Sequence, residues 1–140
     1  MRITSESDYA LRIVTALARH SEVVDAKTLS DETSVTLRFT LKILHKLVTS
    51  GIAESYKGAR GGYKLGRSPD KITLKMVIEL IDGPIAIARC VDNSEGCSLN
   101  CDKASCNLHH IFDYISFDIA SKLDKITISD VINGSYRLKY

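Results

Sequence analysis

Apolar residues recur along this chain with two different periods, and the change of period marks its parts. Ala10, Ile13, Val14 and Leu17 repeat at three- and four-residue steps, which predicts an amphipathic helix from Thr4 or Ser5 to about Arg19. Thr4 or Ser5 is the expected N-cap, and Glu6 and Asp8 place negative charge in the first turn, where the helix dipole favours it. A second, short helix is expected over 26–32. After Thr33-Ser34-Val35 a third runs over 36–50 and ends at Gly51. Two helices across a tight polar turn form a helix-turn-helix. On the third helix Leu37, Leu41, Leu44, Leu47 and Val48 are expected to face the core, with Arg38, Lys42, Lys46 and Thr49 roughly opposite.

The period then shortens. Residues 52–56 and 63–65 predict two short strands, and the KGARGG segment between them has the glycines of a hairpin turn and two cations, Lys57 and Arg60. Much later the helical period returns: Leu108, Ile111, Phe112, Ile115, Ile119 and Leu123 form one stripe on a long helix. Residues 126–132 predict a short last helix capped by Thr127, before the polar tail NGSYRLKY.

The 140 residues, 44% apolar, suffice for one compact core or a small domain with an extended appendage. Net charge is only +2, yet residues 33–67 hold seven basic side chains and one acidic. Positive charge is thus concentrated on the helix-turn-helix and hairpin, where an anionic partner would dock. The N-terminal part of the second helix of such a motif enters the major groove, so Thr36, Arg38 and Lys42 are candidates for base or phosphate contact. Lys57 and Arg60 on the wing are candidates for phosphates and a narrow minor groove. No nucleophile, base and acid grouping and no phosphate-binding loop is present, so an enzyme is not expected.

The stretch MRITSESDYALRIV is charged at Arg2, Glu6, Asp8 and Arg12 and does not resemble a signal peptide. No apolar run reaches the roughly 18 residues of a membrane span. A cytoplasmic protein with reduced thiols is therefore expected. That matters because all four cysteines, Cys90, Cys97, Cys101 and Cys106, lie in one stretch closed by His109 and His110. Asp92, Asn93, Ser94, Gly96, Ser98 and Asn100 make the filler look like loop. Three chemistries suit such a stretch: an iron–sulfur cluster, zinc, or a metal-free thiol switch. The close C-x2-C pairs usual in zinc sites are absent, while clusters accept looser spacings and a histidine in place of a thiolate.

MRITSESDYALRIV, the wing pattern Y-x-G-x-x-G-G-Y-x-L over 56–65, the I-T-x-x-x-V-I-E run over 72–79 and the cysteine stretch together resemble the winged-helix iron–sulfur transcription regulators of the IscR/NsrR family, over nearly the whole chain. The resemblance implies a mostly α fold with a small β-wing. Residues 1–83 would form a winged helix-turn-helix DNA-binding domain, 84–107 a cysteine-rich cluster-binding loop, and 108–140 a dimerisation helix with a C-terminal helix and tail. It further implies a homodimeric regulator, expected to be a repressor, on a pseudo-palindromic operator of double-stranded DNA. Its affinity would be controlled by a cluster sensing redox state, nitric oxide or iron–sulfur supply. The rival from another class is an iron–sulfur redox protein that acts without DNA, which would have no use for the basic helix and wing.

Cys90, Cys97 and Cys106 match the family's three ligand cysteines, although the first gap is six residues here and five in the assembly-repressor type. His109 matches the fourth ligand of the 2Fe-2S members, the favoured cluster. Asp8, supplied by the partner subunit, matches that of the 4Fe-4S members. Cys101 belongs to neither pattern, and as a soft thiolate it stands level with His109 as fourth ligand, with Asp8 behind. Leu41 stands where the assembly-repressor type has a glutamate, and Arg60 where it has a small residue, so no operator sequence transfers.

Overall fold

The computed structural model describes residues 2–92, 97 and 102–136. Helix α1 (Ser5–Arg19) is capped by Thr4, whose hydroxyl accepts from the Ser7 amide, and it buries Ala10, Ile13, Val14 and Leu17 as its period requires. The Thr4 hydroxyl also donates to Asp82 at 2.5 Å, fastening the start of α1 to a residue 78 positions further on. Helix α2 (Ala26–Thr33) is capped by Asp25 and stops at Ser34, which takes the left-handed conformation at φ 55°. The turn is pinned from inside by the Ser30 hydroxyl donating to the Val35 carbonyl at 2.6 Å.

Helix α3 (Leu37–Thr49) begins at its cap Thr36, and its buried side keeps the expected Leu44 and Leu47 but not Leu37 and Leu41. Thr40, Ile43, Leu44 and Leu47 form the core face, while Leu37 is 41% and Leu41 44% exposed. At about 100° per residue, Leu37 lies about 60° and Leu41 about 100° from Thr40, near the centre of the buried arc. Thr40 holds that centre because its hydroxyl has a buried partner, the Val35 carbonyl at 3.4 Å.

The wing is an antiparallel pair, β1 (Ala53–Tyr56) and β2 (Gly62–Leu65), in register Ala53 to Leu65 and Tyr56 to Gly62. Val24, just before α2, adds two backbone bonds to Tyr63, at 2.9 and 2.8 Å. A side chain at Gly62 would stand 2.4 Å from the Val24 carbonyl oxygen, so glycine is what lets the hairpin reach the helical body.

A 3-10 turn (Pro69–Lys71) leads to α4 (Leu74–Asp82), capped by Thr73 and packed on α1. The cysteine stretch departs from the loop expectation at its two ends, though not at Cys97: Cys90 and Asp92 lie in the one-turn helix α5 (Arg89–Asp92), and Cys106 is the N-cap of α6 (Asn107–Asp124). Cys101 and the filler residues Asn93, Ser94, Gly96, Ser98 and Asn100 lie outside the described residues. Helix α6 buries little of itself. Phe112, Ile119 and Leu123 are half-buried, while Leu108, Ile111, Tyr114, Ile115 and Phe117 are exposed. Ser116 ties it to the preceding connector, donating to the Phe112 carbonyl and accepting from the Ile87 amide at 3.0 Å.

Helix α7 (Ile128–Asn133) starts with a capping box between Thr127 and Asp130. It returns to the first half of the chain: Ile128 is fully buried in the core shared with α1, and its amide bonds to the Ile72 carbonyl at 2.8 Å. Among the described residues the structure is thus mostly helical around one core, with one small wing.

Candidate nucleic-acid interface and cysteine site

Thr36 at the cap of α3 and Arg38 and Lys42 on it are exposed, and the hairpin carries Lys57 and Arg60, also exposed. Thr36 has a structural task as well, its hydroxyl accepting from the Phe39 amide at the helix start. Lys42 is engaged from an unexpected quarter. Its ammonium lies 2.9 Å from one oxygen of Glu6 on α1, and that of Lys46 lies 2.7 Å from the other. Hydrogen bonds from Lys46 and Lys42 hold the Glu6 carboxyl below the usual range, outweighing its partial burial. Tyr9 of α1 meets Phe39 edge-on at 6.2 Å between ring centres, and Arg12 lies over the Tyr9 ring at 5.6 Å. One flank of α3 is therefore clamped by α1, while Arg38 on the outer arc has no carboxylate partner among the described residues.

At the other end of the chain, Cys90, Cys97 and Cys106 are half-buried. His109 follows Cys106 on the first turn of α6, and its Nδ1 is buried without a hydrogen-bond partner. A buried imidazole nitrogen is rarely left so, and a metal is one of the partners that satisfies it. His110 differs: its Nε2 lies 2.9 Å from the Ala104 carbonyl and is spent on the backbone. Asp8 is paired with Arg12 at 2.6 Å, so ligation by Asp8 requires that pair to open. Thiolates and an orphaned imidazole are the donors that iron–sulfur clusters use, and in kind the residues fit such a group. No three donors converge on a single point among the described residues, which do not include Cys101.

Of the predicted site residues, Thr36, Arg38 and Lys42 are exposed along the first half of α3, and Cys106 and His109 stand three positions apart at the start of α6. Glu6 is the participant that the sequence hides, since it lies 36 and 40 positions from its two lysines.

A family model described as an iron-dependent transcriptional regulator, Rrf2, matches residues 3–134. The chain belongs to the Rrf2 family. Among its relatives, the HTH-type transcriptional regulator NsrR of Bacillus licheniformis is 27% identical over 94% of this chain and 92% of its own length. IscR of Pectobacterium carotovorum is 30% identical over 96% of this chain and 80% of its own. Among solved structures, CymR of B. subtilis, titled the global cysteine regulator, superposes with a TM-score of 0.77 at 25% identity over 96% of this chain and 98% of its own. T. potens IscR shares the fold, with the same TM-score of 0.77 at 21% identity, over 100% of this chain and 93% of its own. As an Rrf2 member the chain is a DNA-binding transcriptional regulator, and the wing and α3 are the parts of its fold suited to that task. Among the described residues no helix is long and apolar enough to cross a membrane.

Proposed function

We propose that this Rrf2 regulator is a cytoplasmic homodimeric repressor that docks α3 of each subunit in the major groove of a pseudo-palindromic operator and the wing in the adjacent minor groove. The chain works in three parts: a DNA-binding body of residues 1–83 closed by α7, a sensing stretch 84–107, and α6 as the dimer element. Thr36, Arg38 and Lys42 contact bases or phosphates, and Lys57 and Arg60 contact the backbone from the wing.

Operator affinity is set by an iron–sulfur cluster, of the 2Fe-2S kind, on Cys90, Cys97 and Cys106, with His109 as fourth ligand. The observation that carries this is the buried, unpartnered Nδ1 of His109 one helical turn from Cys106. Bound there, the cluster would supply redox- and protonation-sensitive ligation. The chain's own contribution is to hold two ligands at the start of α6, so that gain or loss of the group acts on the helix that sets dimer geometry.

The test is anaerobic purification with iron and sulfide counted per chain. The expected result is a coloured protein with about two of each per chain, the stoichiometry of a 2Fe-2S centre. His109→Ala should lose or alter the chromophore. If His109→Ala keeps it, variants at Cys101 and Asp8 decide between all-cysteine ligation and a 4Fe-4S centre completed by the partner subunit. A colourless protein after full reconstitution sinks the cluster. A thiol switch is the second reading, supported by the additional Cys101 and by the likeness to CymR, the global cysteine regulator of B. subtilis.

A further inference from the structure

We propose that Leu41, with Leu37 one turn before it, reads thymine methyl groups in the operator, so that part of the sequence preference of α3 is apolar rather than hydrogen-bonded. This rests on the reading above that α3 enters the major groove. Leu37 and Leu41 are four positions apart on one face and 41% and 44% exposed, although their helix has a complete core face in Thr40, Ile43, Leu44 and Leu47. Such apolar surface is left open at a cost unless something covers it.

Three observations decide what covers it. The other flank of α3 is taken by α1, through Tyr9 against Phe39 and Glu6 against Lys42 and Lys46. The arc left over therefore runs from the two leucines to Arg38 at the helix's N-terminal end, the part that approaches base edges. Arg38 is the charged side chain of that arc, and the segment around it, 33–67, has seven basic residues against the single acidic Glu54, which favours a polyanion over a protein surface. Within a major groove the apolar group on offer is the C5 methyl of thymine, whereas Arg38 beside it suits guanine O6 and N7 or a phosphate. The pair predicts half-sites with thymine next to the position that Arg38 reads.

The test uses the full chain and duplexes selected by it from a randomised library. Each thymine is then replaced singly by deoxyuridine, which removes the methyl and nothing else. One or two thymines per half-site should each matter by about four-fold in affinity, the worth of one buried methyl. Leu41→Ala and Leu37→Ala should bring that thymine-to-uracil ratio towards one, Leu41→Met should keep it, and Arg38→Ala should weaken binding while leaving it intact. Deoxyuridine tolerated everywhere by the unmodified protein overturns the proposal, as does a ratio that survives in the double alanine variant. So does loss of self-association in Leu41→Ala with the ratio unchanged, which would make a second copy the occupant. If the chain selects no duplex at all, the DNA-docking reading falls and takes this one with it. Selective binding indifferent to methyls overturns this one alone.

Discussion

At the scale of single residues, the informative side chain is Glu6. Its carboxylate joins Lys42 and Lys46 of α3 and, in the proposed complex, occupies the position towards those cations that a phosphate would take. Pairs of this exposure contribute at most about 1 kcal/mol to folding, so their weight lies in what they withhold from DNA. Glu6→Gln should therefore leave the melting temperature within a few degrees. It should raise affinity for all duplexes at low salt and steepen the slope of log K against log salt by about one unit per subunit, as Lys42 becomes free to displace a counterion. An unchanged slope would show that Lys42 stays off the backbone. Asp82 offers a second check. Its partial burial would push the carboxyl up, but the hydrogen bonds from Thr4 and the Lys46 charge outweigh this and hold it below its ordinary 3.8. A carboxyl lowered on folding stabilises the fold above its unfolded value and loses that contribution as the pH falls through the folded one. Asp82→Asn should thus lower the melting temperature at neutral pH, with the difference from the parent shrinking below about pH 4. A difference independent of pH would assign the effect to packing.

At the scale of elements, α1 was legible because its cap, its acidic first turn and its apolar spacing all agree. In α3 Leu44 and Leu47 were read correctly but Leu37 and Leu41 misled: a polar-looking Thr40 sits at the centre of the core face because the Val35 carbonyl accepts its hydroxyl, and that pairing is invisible in a pattern of apolar letters. The hairpin was legible from its glycines to within one residue, but not its bonding to Val24, nor the docking of α7 through Ile128 on Ile72, since neither long-range pairing leaves a period in the sequence. In the cysteine stretch the candidate ligands were legible as residue types. The unpartnered nitrogen of His109 needed the structure, because it depends on what surrounds the first turn of α6. The wing carries its own prediction. Lys57 and Arg60 are exposed on a hairpin fixed to the body, and a phosphate contact there is blind to sequence. Arg60→Ala should weaken selected and unselected duplexes by the same factor and reduce the salt slope by about one unit per subunit. A loss confined to selected duplexes would instead place Arg60 on base edges or in a groove of particular width.

At the scale of the whole molecule, α6 is the part that the single chain leaves unfinished. Leu108, Ile111 and Ile115, spaced three and four positions apart on one face, are 61%, 52% and 38% exposed, an open apolar stripe of the sort that marks an interface. A second copy covering it isologously would hold two α3 helices at a fixed separation, and that separation has to match about 34 Å, one turn of DNA, or a multiple of it. Ile111→Asp tests the arrangement without endangering the core, since that residue is already 52% exposed. Sedimentation should show a dimer for the parent and a monomer for the variant, with the helical dichroism of the two alike. Binding to a two-half-site duplex should then change in kind as well as in strength. The dimer closes both half-sites in one event, whereas monomers fill them one at a time, so the salt slope per binding step should fall to about half that of the parent. A variant that stays dimeric would move the interface off this face of α6. A parent that sediments as a monomer yet keeps the full slope would mean that the two subunits meet only on the operator.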